Sequence, residues 1–135
     1  MHKFLTMRHV LAAVASASVM FMLAGLWNLL IFPQLGISFS PGILREAPIF
    51  PLLILGYLIL AKTLVFVGIN SNFSRNHRRH WVIVGILVME IAFGFSSLVL
   101  QANYNFPLIA IPLDLIWYLI EGAAGGFVAS LFLRK

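Results

Sequence analysis

The chain of 135 residues is 61% hydrophobic and 10% charged, whereas a soluble domain is typically about 45–50% apolar and about 25% charged. That balance excludes an ordinary soluble domain and predicts one all-α integral membrane domain. The net charge of +5 points to membrane topology and anionic lipid rather than nucleic acid. The absence of cysteine removes disulfides, thiolate metal sites and cysteine redox chemistry.

Residues 1–9 form a short basic lead with Lys3 and Arg8. The first apolar run, about 10–32, is one bilayer long. Ala15, Ser16 and Ala17 resemble a signal-peptidase site, but the run continues well past them and reads as an uncleaved helix. A connector follows, broken by Pro33, Gly36, Pro41 and Gly42. Its apolar residues Ile37, Phe39, Ile43 and Leu44 lay it on the membrane surface. Pro48 and Pro51 suit the first turn of a second helix, where no N–H donor is missed, and that helix covers about 48–69. The most polar stretch is 70–80, NSNFSRNHRRH. Trp81 opens a third span at interfacial depth, about 82–102. A tight turn leads into a fourth, about 107–133, whose first turns Pro112 can kink. No internal repeat marks an inverted-repeat transporter.

Lys3, Arg8, Arg75, Arg78, Arg79, Arg134 and Lys135 fall on one side of a four-span topology, and only Arg45, beside Glu46, on the other. Both termini are therefore expected in the cytoplasm. The cytoplasmic arginines Arg75, Arg78 and Arg79 are expected to touch anionic lipid. His77 and His80 have helical metal-ligand spacing, but they lack a third ligand and sit among arginines, so no metal is expected. Asn72-Phe73-Ser74 is a glycosylation sequon on the wrong side to be used.

Charges inside a bilayer are costly and usually face the bundle or a cavity. Here they are Lys62, Glu90, Asp114 and Glu121. At about 1.5 Å per residue, Lys62 and Glu90 lie roughly 10 and 12 Å from the cytoplasmic ends of their helices. Glu121 lies roughly 18 Å up its helix, near the midplane, and Asp114 and Asn28 roughly 28 Å up. Two layers are expected. One pairs Lys62 with Glu90, with Glu121 as second candidate partner. The other pairs Asn28 with Asp114, near Trp27, Trp117 and Tyr118. Glu90, Gly94, Ser97 and Gln101 make a polar stripe at helical spacing. A Lys–Glu pair can be purely structural. One lysine cannot neutralise three acids, however, so Glu121 or Asp114 must be protonated, hydrated or paired outside the chain. The structural reading comes first, and this excess lends some support to the second, a proton, cation or ligand site.

Small residues repeat as Gly122-x-x-x-Gly126 and Gly126-x-x-x-Ser130 in helix four. Helix one answers with Ala12-x-x-x-Ser16 and Ala13-x-x-x-Ala17 at matching depth. Contact between helices one and four is expected there, with another subunit as the competing use.

The stretches LAGLWNLLIFP, EAPIFPLLILGYLIL and PLDLIWYLIEGAAGGFVASL resemble a loose group of small bacterial four-helix inner-membrane proteins. The resemblance covers about half the chain and implies architecture and membrane only. Small multidrug exporters also have four helices and a buried glutamate, but they carry the essential acid in helix one, where this chain has none.

No nucleophile elbow, phosphate loop or metalloprotease helix is present, and no catalytic set or cofactor is expected. The leading expectation is a non-catalytic accessory subunit of a larger membrane assembly, its partners lipids and other subunits or itself. The alternative is a small proton-coupled transporter or amphipathic-ligand binder using the buried acids. An enzyme acting on a lipid-like substrate comes third.

Overall fold

The computed structural model describes residues 6–38, 42, 48–71, 77–103 and 107–133, with the side chains of 100 and 101 outside the description. Arg45, Glu46, Arg75, the sequon at 72–74, the turn at 104–106 and the basic pair Arg134 and Lys135 also lie outside it. So do Lys3, Phe39, Pro41, Ile43, Leu44 and the side chain of Gln101.

Among the described residues there are four long helices and no strand. Helix α1 runs Met7–Leu26, then continues through a π-helical turn, Trp27–Ile31, and a 3₁₀ turn, Phe32–Leu35. Helix α2 is Phe50–Asn70. Helix α3 is Arg78–Met89, a π-helical turn Glu90–Gly94, and a second α segment, Phe95–Asn103. Helix α4 is Ala110–Leu133. All four are long and apolar enough to cross a membrane.

Proline chemistry sets several of these limits. Pro33 has no N–H to give to the helix before it, and its ring crowds the preceding turn. The α1 ladder widens to π just before Pro33 and tightens to 3₁₀ over it. Gly36 then stops the chain at φ 69°, a left-handed conformation that glycine adopts without strain. Pro51 sits at the start of α2 as expected. The fourth helix begins at Ala110 rather than 107, after a turn closed by the Ala110 N–H on the Pro107 carbonyl at 2.9 Å. Pro112 therefore lies in a first turn, where it removes no hydrogen bond.

Successive helices are antiparallel. Residue numbers rise along α1 as they fall along α4: Ser16 meets Gly125, and Trp27 meets Asp114. Gly68 meets Trp81 and Tyr57 meets Phe93 between α2 and α3. Gly85 meets Gly122 and Trp81 meets Gly126 between α3 and α4. The result is an up-down-up-down bundle in which α4 is wedged between α1 and α3. One end carries Arg8, His9, Arg78 and Arg79 and is called the basic end below.

The closest crossing is between α3 and α4. A Cβ on Gly122 would lie 2.6 Å from the Gly85 carbonyl oxygen. A Cβ on Gly85 would run into the Gly122 carbonyl, and one on Gly126 into the Trp81 carbonyl. Gly122 and Gly126 thus face α3, which corrects the expectation that they face α1. Helix α1 instead meets the next stripe, rotated by one residue. Ser16 donates its hydroxyl to the Gly125 carbonyl at 2.9 Å. Met20 Sδ would stand 2.6 Å from a Cβ on Gly125. Ala12, Ala17 and Ala129 are buried in the same core, and Ala13 packs at its edge. Ser130 is buried and returns its hydroxyl to its own helix, at the Phe127 carbonyl. Two small-residue rows one residue apart, Gly122/Gly126 and Gly125/Ala129, let α4 approach two helices at once.

Trp81 is buried at 1% exposure, its ring over Gly68. It is a core residue rather than the interfacial anchor its position at the start of a span suggested. Large apolar residues are exposed around the bundle, among them Leu29, Ile91 and Phe95.

Candidate functional site

The carboxyls gather from the middle of the bundle toward the end away from the basic one. At their centre is Glu121 on α4, 1% exposed. Tyr57 on α2 donates its hydroxyl to Glu121 Oε2 across the bundle at 3.4 Å. Trp117 stands one helical turn before Glu121, on the same face, within electrostatic reach of the carboxyl. Its indole Nε1 is buried and meets no hydrogen-bond partner among the described residues.

Asp114 lies one further turn along the same face. Trp27 donates its indole Nε1–H to Asp114 Oδ1 at 2.9 Å. The Trp27 and Trp117 rings stack at 4.9 Å with 15° between planes, and Phe32 meets Trp27 edge-on at 5.6 Å. Asn28 is exposed and donates to the Ala24 carbonyl of its own helix at 2.8 Å. One residue is about 100° of helix, so the turn that places Trp27 inside places Asn28 outside. The expected Asn28–Asp114 contact is replaced by Trp27–Asp114.

Glu90 opens the π-helical turn of α3. Its Oε2 would be 2.8 Å from a Cβ on Gly94, so glycine makes room for the carboxyl. Its Oε1 is buried and, among the described residues, has no hydrogen-bond partner. Beyond it, Gly94 and Ser97 are buried, so the expected polar stripe turns inward as far as Ser97. Tyr118 is within electrostatic reach of Ser97, Asp114, Glu121 and Glu90. Tyr57, Phe93 and Tyr118 form a run of stacked rings from three helices, with centroids 6.0 and 5.5 Å apart. Phe21 closes the run edge-on against Tyr57 at 5.8 Å.

Lys62 does not join this group. The buried stripe of α2 is Tyr57, Leu60, Ala61, Leu64, Val65 and Gly68. Lys62 lies one residue past Ala61 and is exposed on the outer face. Along the bundle it lies between the Tyr57–Phe93 and Gly68–Trp81 contacts, a span of α3 that includes Glu90. It points outward, and the expected Lys62–Glu90 contact is absent among the described residues. Glu121 is held by a tyrosine, not by the lysine.

The arrangement is thus three carboxyls around Tyr118, with no lysine, arginine or histidine facing them among the described residues. Sequence reasoning missed Tyr57 and Phe93. The available signal for Tyr57 was a phenol in an otherwise apolar span, since a buried tyrosine hydroxyl usually finds a partner.

The basic end is built differently. His80 is buried, with Nε2 3.0 Å from Ser71 Oγ and 3.1 Å from the Gly68 carbonyl, and it ties the end of α2 to the start of α3. His77 is exposed, so the two histidines do not converge. No group of three metal-ligating side chains occurs among the described residues. Arg78 lies over the Phe127 ring at 5.6 Å, a cation–π contact, and Arg79 is exposed.

Comparison with protein-family models, with curated proteins and with solved structures finds no match.

Proposed function

We propose that this chain is a small integral protein of a bacterial inner membrane, with both termini cytoplasmic, that carries a lipophilic cation in exchange for a proton held at Glu121. The placement rests on four apolar helices, an apolar exposed surface and the concentration of Lys and Arg on one side. The observation that carries the activity is the buried Glu121 flanked by the half-buried Asp114 and Glu90, with no lysine, arginine or histidine facing them among the described residues. An uncompensated carboxylate in hydrocarbon is expensive and needs a proton or a cation beside it.

A purely structural network would be saturated, because half-satisfied buried polar groups destabilise a core. Here the Tyr57–Glu121 bond is long, and Glu90 Oε1 has no hydrogen-bond partner among the described residues. The flanking rings are chemically suited to an organic cation, which aromatic faces attract. Glu121 is the exchanging group, Tyr57 and Trp117 position it, and Asp114 and Glu90 extend the path toward the two π-helical turns. Such turns occur frequently at functional sites.

The test uses vesicles containing the protein and a trapped pH dye, with tetraphenylphosphonium added outside. Exchange of an entering cation for a leaving proton raises the luminal pH for the wild type and not for Glu121→Gln. A wild-type trace equal to that of protein-free vesicles refutes the activity.

A further inference from the structure

The exposed face of α2 carries an ammonium group that no acid among the described residues answers. Lys62 is exposed among Leu55, Ile59 and Phe66, all exposed apolar residues of the same helix. Thr63, beside it, spends its hydroxyl on the Ile59 carbonyl of its own turn at 2.9 Å. Rotating the side chain does not bring Lys62 to Glu90 or Glu121, because those acids lie on the other side of the buried stripe of α2. In the membrane placement proposed above, on which this inference rests, Lys62 is a charge on a hydrocarbon-facing surface. Such charges are rare and normally pair with another group.

We infer that this face of α2 docks a spanning helix of a different membrane protein, which presents an aspartate or glutamate at the depth of Lys62. Three sources of negative charge can be compared. Lipid phosphate is distant in both directions: roughly 12 Å of helix separates Lys62 from Asn70, and roughly 18 Å separates it from Phe50. Helical side chains lean toward their N-terminus, which points Lys62 along the longer route. The one carboxyl that a second copy has near this depth among the described residues, Glu90, is turned inward, its Oε2 against Gly94 beside Leu115 of α4. Asp114 is held by Trp27, and Glu121 by Tyr57. A two-fold dimer through this face would also bring two lysines together. A carboxylate on another protein's helix satisfies the charge without deforming the bilayer. The surrounding apolar surface, with Gly56 open on the same helix, lets a helix lie close.

The chain contains no cysteine, so one introduced at a helix end gives a single fluorophore site. The probe is a leucine-rich transmembrane peptide bearing one Asp at the matching depth, with an otherwise identical Asn peptide as control. Association is read by energy transfer in phosphatidylcholine vesicles. The wild type should bind the Asp peptide about tenfold more tightly than the Asn peptide, the scale of one interhelical polar contact. Lys62→Met should abolish that preference, and Lys62→Arg should keep it. Equal binding of the two peptides by the wild type, or a preference that survives in Lys62→Met, overturns the inference. So does self-association of labelled wild type that Lys62→Met abolishes, since the occupant is then a second copy. A lysine whose neighbours become phosphatidylglycerol when that lipid is added, with no peptide preference, makes lipid the occupant and also overturns it. Flotation with the vesicles is measured for every variant. A wild type that fails to float contradicts the membrane placement itself and is told apart from a failure of docking.

Discussion

Tyr57 on α2 reaches across the bundle to Glu121 on α4, hydroxyl to carboxylate oxygen, at 3.4 Å. The bond links two helices that otherwise touch little, and both residues are nearly excluded from the surface. Tyr57→Phe keeps the ring stack with Phe93 and removes the donor. It should cost about 1–3 kcal/mol of thermal stability, because the buried carboxyl loses its hydrogen bond. Tyr57→Phe combined with Glu121→Gln should be non-additive, as expected for groups in contact. Additive losses in melting experiments would place the two residues in separate environments.

The α3–α4 crossing makes a second set of expectations. Gly126→Ala puts a methyl against the Trp81 carbonyl, and Gly85→Ala puts one against the Gly122 carbonyl. Each should destabilise by about 1–3 kcal/mol through overpacking, and Gly126→Leu should prevent assembly. Gly56→Ala has open space around the new methyl and should stabilise by about 0.4–1 kcal/mol, because alanine restricts the unfolded chain. Leu131, exposed on α4, should tolerate Ala within about 0.5 kcal/mol. Similar melting temperatures for Gly126→Leu and Leu131→Ala would contradict the glycine crossing.

Trp27→Phe retains an aromatic ring against Trp117 but removes the donor to Asp114. A loss of about 1–3 kcal/mol is expected, with Asn28→Ala causing a much smaller change because Asn28 bonds only within its own helix. Thermal melts of the two variants separate the readings, and a larger effect at Asn28 would reverse the assignment.

Lys62→Met and Glu90→Gln should combine additively, within about 0.5 kcal/mol, since the side chains point to different faces. A double-mutant cycle that gives strong coupling would restore the ion pair.

The sequence alone was enough for four helices and their order. These rest on run length and on a fixed rise per residue, which add up reliably along a chain. Direction around each helix was harder to read. Lys62 and Asn28 were each turned the wrong way by a neighbouring position. Gly122 and Gly126 were read as facing α1 because matched depth cannot choose between two neighbours; the adjacent residue Gly125 faces α1. Two π-helical turns add a further shift, since each moves the residues beyond it by a position. The aromatic lining of the site was legible only in part. Trp27, Trp117 and Tyr118 were near the acids in height, whereas Tyr57 and Phe93 sit in apolar runs where nothing local marks which side faces the acids.

Topology can be checked with reporter fusions after residue 135 and within 72–79. Cytoplasmic signals are expected at both places, as the Lys and Arg distribution requires. A periplasmic signal at either would overturn the orientation.

The central claim is that Glu121 holds an exchangeable proton inside the bundle. Infrared difference spectroscopy of the reconstituted protein reads this directly, through the carbonyl stretch of a protonated carboxyl as pH is stepped across the range where the bundle stays folded. The account predicts a band that titrates, shifts in deuterated water and disappears in Glu121→Gln, while Glu90→Gln leaves it in place. A wild-type spectrum with no titrating carboxyl band, or a band unchanged in Glu121→Gln, would contradict it.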